Sequence, residues 1–210
     1  MGRKKGYTRV GLIEAATGLF HAYGFEATST EMLVRHLGVN RNSLFSEFGT
    51  KRALFDEVVE RYNDEFVTAG VGTLERDDAC LDAIGKLFAA FGADSTGRFA
   101  GMGCLMCNTA IELGAETPEG NALVLRYFER LNRAFARALG NAQLAGELAP
   151  GVDIEAEAGM LCATALGLFV MARARAPAAM VRAVVSTTTR HLDLLRAAYT
   201  SGRDDRSAKS

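Results

Sequence analysis

Residues 28–55 read TSTEMLVRHLGVNRNSLFSEFGTKRALF, and this stretch decides the fold. Leu33, Val34 and Leu37 fall one, three and four positions apart, so they line one side of a short helix. Thr28 and Glu31 have the spacing of a capping box, a hydroxyl for the third helical N–H and a carboxylate that reaches back. Gly38 stands where a tight turn needs positive φ, and Asn40 is a good N-cap for a further helix, Arg41 to about Phe48. Gly49 and Thr50 end that helix and cap the next, in which Leu54, Phe55, Val58, Val59, Tyr62 and Phe66 repeat at helical spacing. Two short helices joined by Leu37-Gly38-Val39-Asn40 predict a helix-turn-helix, a unit whose second helix suits the DNA major groove.

The same period extends in both directions. Leu12, Ile13, Ala16, Leu19, Phe20 and Tyr23 form one stripe before Gly24, which should stop the helix that carries them. Beyond residue 70 the pattern is helix after helix: one around Leu81–Phe91, then roughly Met102–Leu113, Pro118–Leu144, Asp153–Arg175 and Pro177–Tyr199. No strand-like alternation is present, so the fold class expected is all-α. The expected organisation is a three-helix DNA-binding domain over 1–50 and a helical domain over 51–200. The polar tail SGRDDRSAKS, 201–210, is expected to be disordered.

Composition sets bounds. Hydrophobic residues make up 49% and charged residues 23%, ordinary for a globular chain. The net charge of -1 hides an asymmetry: residues 1–52 hold eight Lys and Arg against four Glu, a balance of +4, leaving -5 elsewhere. A basic head on an acidic body fits a nucleic-acid-binding module joined to a body with another task. The longest uncharged stretch, Ala158–Ala172, has fifteen residues, short of the about 20 that a membrane span needs, so a buried core helix is expected. Four cysteines, Cys80, Cys104, Cys107 and Cys162, suit reduced thiols in a cytoplasm.

The set Ala16, Leu19, Phe20, Gly24, Phe25, Thr28, Ser29, Leu37-Gly38-Val39, Ser43-Leu44-Phe45, Phe48, Lys51 and Leu54-Phe55 resembles, in type and spacing, the DNA-binding domain of the tetracycline-repressor family over roughly residues 8–62. That resemblance implies a transcriptional regulator on double-stranded operator DNA. The DNA contacts it places here are Thr28, Ser29, Arg41, Asn42, Ser43, Phe45 and Lys51. Chemistry agrees: Ser29 opens a helix whose N–H groups favour phosphate, Arg and Asn side chains match guanine and adenine edges, and Lys51 would neutralise a phosphate. Arg3, Lys4 and Lys5 form an arm that could follow the backbone or a minor groove. Phe45 replaces the family's usual tyrosine, which predicts one phosphate contact fewer, and Val34 replaces a usually smaller residue.

In the family the remaining helices bind a small ligand and pair two subunits. Gly159, Ala163, Ala165 and Gly167 put small side chains along one helix, and Met180, Val184, Leu192, Leu195 and Tyr199 stripe the last. A homodimer would make the operator an inverted repeat. The expected effector is a small, mostly apolar molecule in a pocket lined by Phe88, Phe91, Met102, Met106, Phe128 and Met160. Asn108, Thr109 and Glu112 would orient it.

An alternative reading is a redox or electrophile sensor using Cys104 and Cys107, which lie on neighbouring helical turns. No Ser/His/Asp set, metal-ligand cluster or phosphate loop is apparent, and His21, His36 and His191 are scattered. The expectation is therefore a regulator with no enzymatic role, no cofactor, no metal and no membrane partner.

Overall fold

The computed structural model describes residues 6–97, 99–113 and 118–200; the basic arm Arg3–Lys5 and the tail 201–210 lie outside them. Its helices are α1 Arg9–Ala27, α2 Thr30–Leu37, α3 Arg41–Phe48, α4 Lys51–Tyr62, a π-helical turn Asn63–Val67, α5 Thr68–Val71, α6 Leu81–Thr96, α7 Leu105–Leu113, α8 Pro118–Leu144, α9 Ile154–Arg173 and α10 Ala178–Thr200. Among the described residues there is no strand, and the all-α expectation holds.

The chain divides into two compact units, residues 1–66 with 104–124 and residues 67–103 with 125–210. The cut is not where the sequence reading put it, between residues 50 and 51. Leu54, Phe55, Val58 and Val59 are buried on α4, which packs on α1 and so stays with the first unit. Helix α7, expected in the second domain, also packs on α1 and α4.

Local chemistry fixes the first unit. Thr8 caps α1, its Oγ1 accepting the Gly11 N–H at 3.1 Å. Leu12, Ala16, Leu19 and Phe20 are buried along that helix. The Phe20 and Phe55 rings meet edge-on at 5.0 Å, an arrangement worth about 0.5–1.5 kcal/mol beyond the area it buries. Gly24 then breaks the helix with φ 83° and ψ 179°, a conformation essentially reserved for glycine. Gly38 caps α2 at φ 65°, and Asn40 caps α3, its Oδ1 accepting the Ser43 N–H at 2.8 Å.

The capping box is a correction. Ser29 is the N-cap of α2, accepting the Met32 N–H at 3.2 Å, while Thr28 is fully buried and donates its hydroxyl to the Gly24 carbonyl at 2.6 Å. Both hydroxyls precede the helix; burial of Thr28 under the end of α1 decides between them.

In the second unit α6, α9 and α10 pack on one another. Phe88 stacks on Phe135 at 5.8 Å, and Phe91 lies 4.8 Å from Phe169. Arg130 forks onto Glu75 at 2.6 and 2.8 Å and reaches Thr68 Oγ1 at 3.0 Å. That guanidinium holds the Glu75 carboxyl below its ordinary range. Helix α9 is long and apolar enough to cross a membrane, yet Ala158, Leu161, Ala165, Leu168 and Ala172 bury one side of it within the unit.

Candidate nucleic-acid interface

Helix α3 turns Leu44 and Phe48 into the unit and leaves Arg41, Asn42 and Ser46 exposed, with Ser43 and Phe45 partly covered. Spacing accounts for most of the division: residues 44 and 48 lie one turn apart, with 42 and 46 on the opposite side, while Arg41 is exposed as the first residue of the helix. Arg41 and Asn42 therefore stand at the capped N-terminus of a helix whose outer face is polar. The Arg41 guanidinium lies 3.3 Å from Glu31 and 5.4 Å from the centre of the Phe45 ring. Both members of the ion pair are more than half exposed, so it contributes about 0–1 kcal/mol. Phe45 serves here as a platform beneath the arginine.

Ser29 is exposed, and because its oxygen accepts from Met32, its proton remains to donate to a phosphate. Thr28, expected beside it as a DNA contact, is removed from that role by its burial.

Lys51 also departs from expectation. Its Nζ donates to the carbonyls of Phe25 at 2.9 Å and Thr28 at 3.1 Å, and lies 4.1 Å from the Phe25 ring centre. These carbonyls end α1, where a cation is favoured by the helix dipole as well as by hydrogen bonding. Lys51 thus braces the α1–α2 turn.

The pocket residues do not assemble as one set within either unit. Met106, Asn108, Thr109 and Glu112 belong to the first, and Phe88, Phe91, Met102, Phe128 and Met160 to the second. Phe88 and Met106 are fully buried, as are nearly Asn108 and Thr109, and the Thr109 hydroxyl returns to the Leu105 carbonyl at 2.8 Å. Met160 is instead on the exposed side of α9. Glu112 is committed elsewhere: its Oε2 accepts the backbone N–H of Phe25 at 2.7 Å and that of Glu26 at 3.3 Å. Glycine is favoured at residue 24 by φ, and an ideal Cβ there would lie 1.9 Å from Glu112 Oε1, so a side chain would displace the carboxylate.

Cys104 and Cys107 are buried, and no disulfide joins them. Burial pushes the Tyr62 hydroxyl well above its usual range, and the neighbouring Cys104 pushes the same way, against a backbone hydrogen bond from Leu105. The sequence reading had not connected Tyr62 to these cysteines. It also missed Arg9, which pairs with Glu57 and lies 4.9 Å from the Phe48 ring centre. The Thr8 cap was readable, since a threonine directly precedes the periodic run.

Comparison with known proteins places this geometry. Residues 12–58 match the family of bacterial regulatory proteins, tetR family, and residues 80–187 match the tetracyclin repressor-like C-terminal domain. The HTH-type transcriptional regulator YezE of Bacillus subtilis is 34% identical over 84% of this chain and 91% of its own. The HTH-type transcriptional repressor ComR of Escherichia coli is 29% identical over 90% of each. Among solved structures, a cysteine mutant of the regulator CifR complexed with 26-base-pair operator DNA has a TM-score of 0.76 at 25% identity, covering 90% of this chain and 98% of that one.

Proposed function

The chain belongs to the tetR family of bacterial regulatory proteins, and from that premise we infer how it reads DNA and how it is released. It is a DNA-binding transcriptional regulator that acts as a dimer on operator DNA and responds to a small-molecule effector. In the proposed reading it is a cytoplasmic repressor without catalytic activity, and its operator is an inverted repeat. Arg41 and Asn42 read base edges, Ser43 permits close approach, Ser29 binds a phosphate, and Phe45 supports Arg41. The observation that carries this is the exposure of Arg41 and Asn42 together at the capped start of α3.

Pairing is assigned to α9 and α10, which present Met160, Val170, Met180 and Leu194 to solvent in the single chain. A Cβ placed at Gly159 or Gly167 meets nothing within 4 Å, so the small-residue side of α9 is open to a partner helix. The effector is a small, mostly apolar molecule that favours the non-binding state; equal affinity for both states would shift nothing. The aromatic cluster of Phe88, Phe91, Phe135 and Phe169 supplies apolar chemistry of the right kind in the second unit. The alternative of thiol sensing is not favoured, because the Cys104 and Cys107 side chains are only 4% and 5% exposed.

Base-resolution footprinting tests the reading. Two protected half-sites centred about 10–10.5 base pairs apart, or a multiple of that, are expected for two copies of α3 in major grooves on one face. A single uninterrupted footprint with no two-fold pattern would reject it.

A further inference from the structure

The turn that joins α1 to α2 is held from two sides. On one, Lys51 takes the carbonyls of Phe25 and Thr28. On the other, one carboxylate oxygen of Glu112 takes the N–H groups of Phe25 and Glu26, from α7, far along the chain. Gly24 breaks the helix just before these N–H groups, with φ 83° and ψ 179°, and Glu112 meets them at that break. Glu112 thus does what an N-cap side chain does, supplied by a helix more than eighty residues away. The carboxylate sits so close that a Cβ at residue 24 would push it off the turn.

We propose that Glu112 is a positioning residue for operator recognition: by fixing the Phe25–Glu26 turn it sets the angle at which α2 leaves α1, and with it the presentation of Ser29 and α3. This rests on the reading that α3 contacts DNA. Two features separate the role from general support of the fold. Glu26 is exposed and Phe25 only partly covered, so water can replace the carboxylate at little cost to folding. Water cannot hold the turn to one geometry. The groups that bind DNA, by contrast, must be in place before contact, since any freedom at the turn is ordered at the expense of affinity.

The test uses the full chain with Glu112→Ala, Glu112→Asp and Glu112→Gln, on an operator selected by the wild-type protein. Alanine removes the acceptor, aspartate withdraws it by one methylene while keeping charge, and glutamine keeps a neutral acceptor at full reach. Amide exchange at Phe25 and Glu26 in the absence of DNA should speed up in the Ala and Asp variants. Their operator affinity at fixed salt should fall roughly tenfold, the scale of a hydrogen bond to a charged group, with an unchanged salt slope. Glutamine should restore most of both. Wild-type affinity in the Ala and Asp variants, whatever their melting temperature, would overturn the proposal. So would faster exchange without loss of affinity. If the wild-type protein selected no operator, α3 would lose its assigned role and Glu112 its positioning role with it, while the exchange measurement would still report whether the carboxylate holds the turn.

Discussion

Lys51 places its ammonium 4.1 Å from the centre of the Phe25 ring and donates to the Phe25 carbonyl at 2.9 Å. A second hydrogen bond, to the Thr28 carbonyl at 3.1 Å, completes the brace on the end of α1. Lys51→Ala should therefore lower unfolding free energy, by about 1–3 kcal/mol from the lost charge-assisted hydrogen bonds, as read from urea denaturation. Its salt slope for operator binding should stay that of wild type. Unchanged stability with a slope smaller by about 1 would return Lys51 to a phosphate.

Arg41 carries the opposite expectation. Its ion pair with Glu31 is exposed, so Arg41→Ala should leave denaturation curves nearly unmoved. Operator binding should weaken by about 1–3 kcal/mol and lose discrimination at one base position. Titrations against the operator and its single-base variants would show both. Equal loss at every sequence would mean that Arg41 touches phosphate, not a base.

Tyr62 predicts an alkaline weakness. In the folded state burial keeps its hydroxyl neutral well above 10.0, its value when free, and the unfolded chain ionises first as pH rises. The contribution to stability is fully present below pH 10.0 and is lost above it. Against a Tyr62→Phe variant, wild-type stability should run parallel up to that pH and then fall relative to it, by at most about 1.4 kcal/mol per pH unit. Parallel curves through pH 11 would contradict the placement of Tyr62.

The dimer assignment is open to a similar test. Gly167 faces open space on α9, so Gly167→Arg should leave the single chain folded, with the helical circular dichroism of wild type. Sedimentation should then show a shift from dimer to monomer at micromolar concentration. A dimer of unchanged strength would move the interface away from this face.

What was legible in the sequence was local. Gly38, Asn40 and Pro118 signal turn, cap and helix start through their own backbone chemistry, and each does so here. Thr28 and Ser29 were exchanged because adjacent hydroxyls offer the same cap, and only burial under α1 distinguishes them. Lys51 and Glu112 were given a phosphate and a ligand because their partners on the α1–α2 turn are distant in sequence. Met160 was read inward for want of any local sign of which side of an apolar helix faces out. The grouping of α7 with α1 was not legible for a related reason, since no spacing rule records that α7 returns to α1 after a long excursion.

Two-fold reading of DNA by α3 is tested by selection with the purified protein from a randomised duplex pool at fixed salt, with the enriched sequences read out. An inverted repeat is expected, its half-sites a whole number of helical turns apart, with loss of preference at one position of each half-site in Arg41→Ala. Failure to enrich any sequence across a range of salt, or enrichment of a site without two-fold symmetry, would contradict two-fold reading by α3.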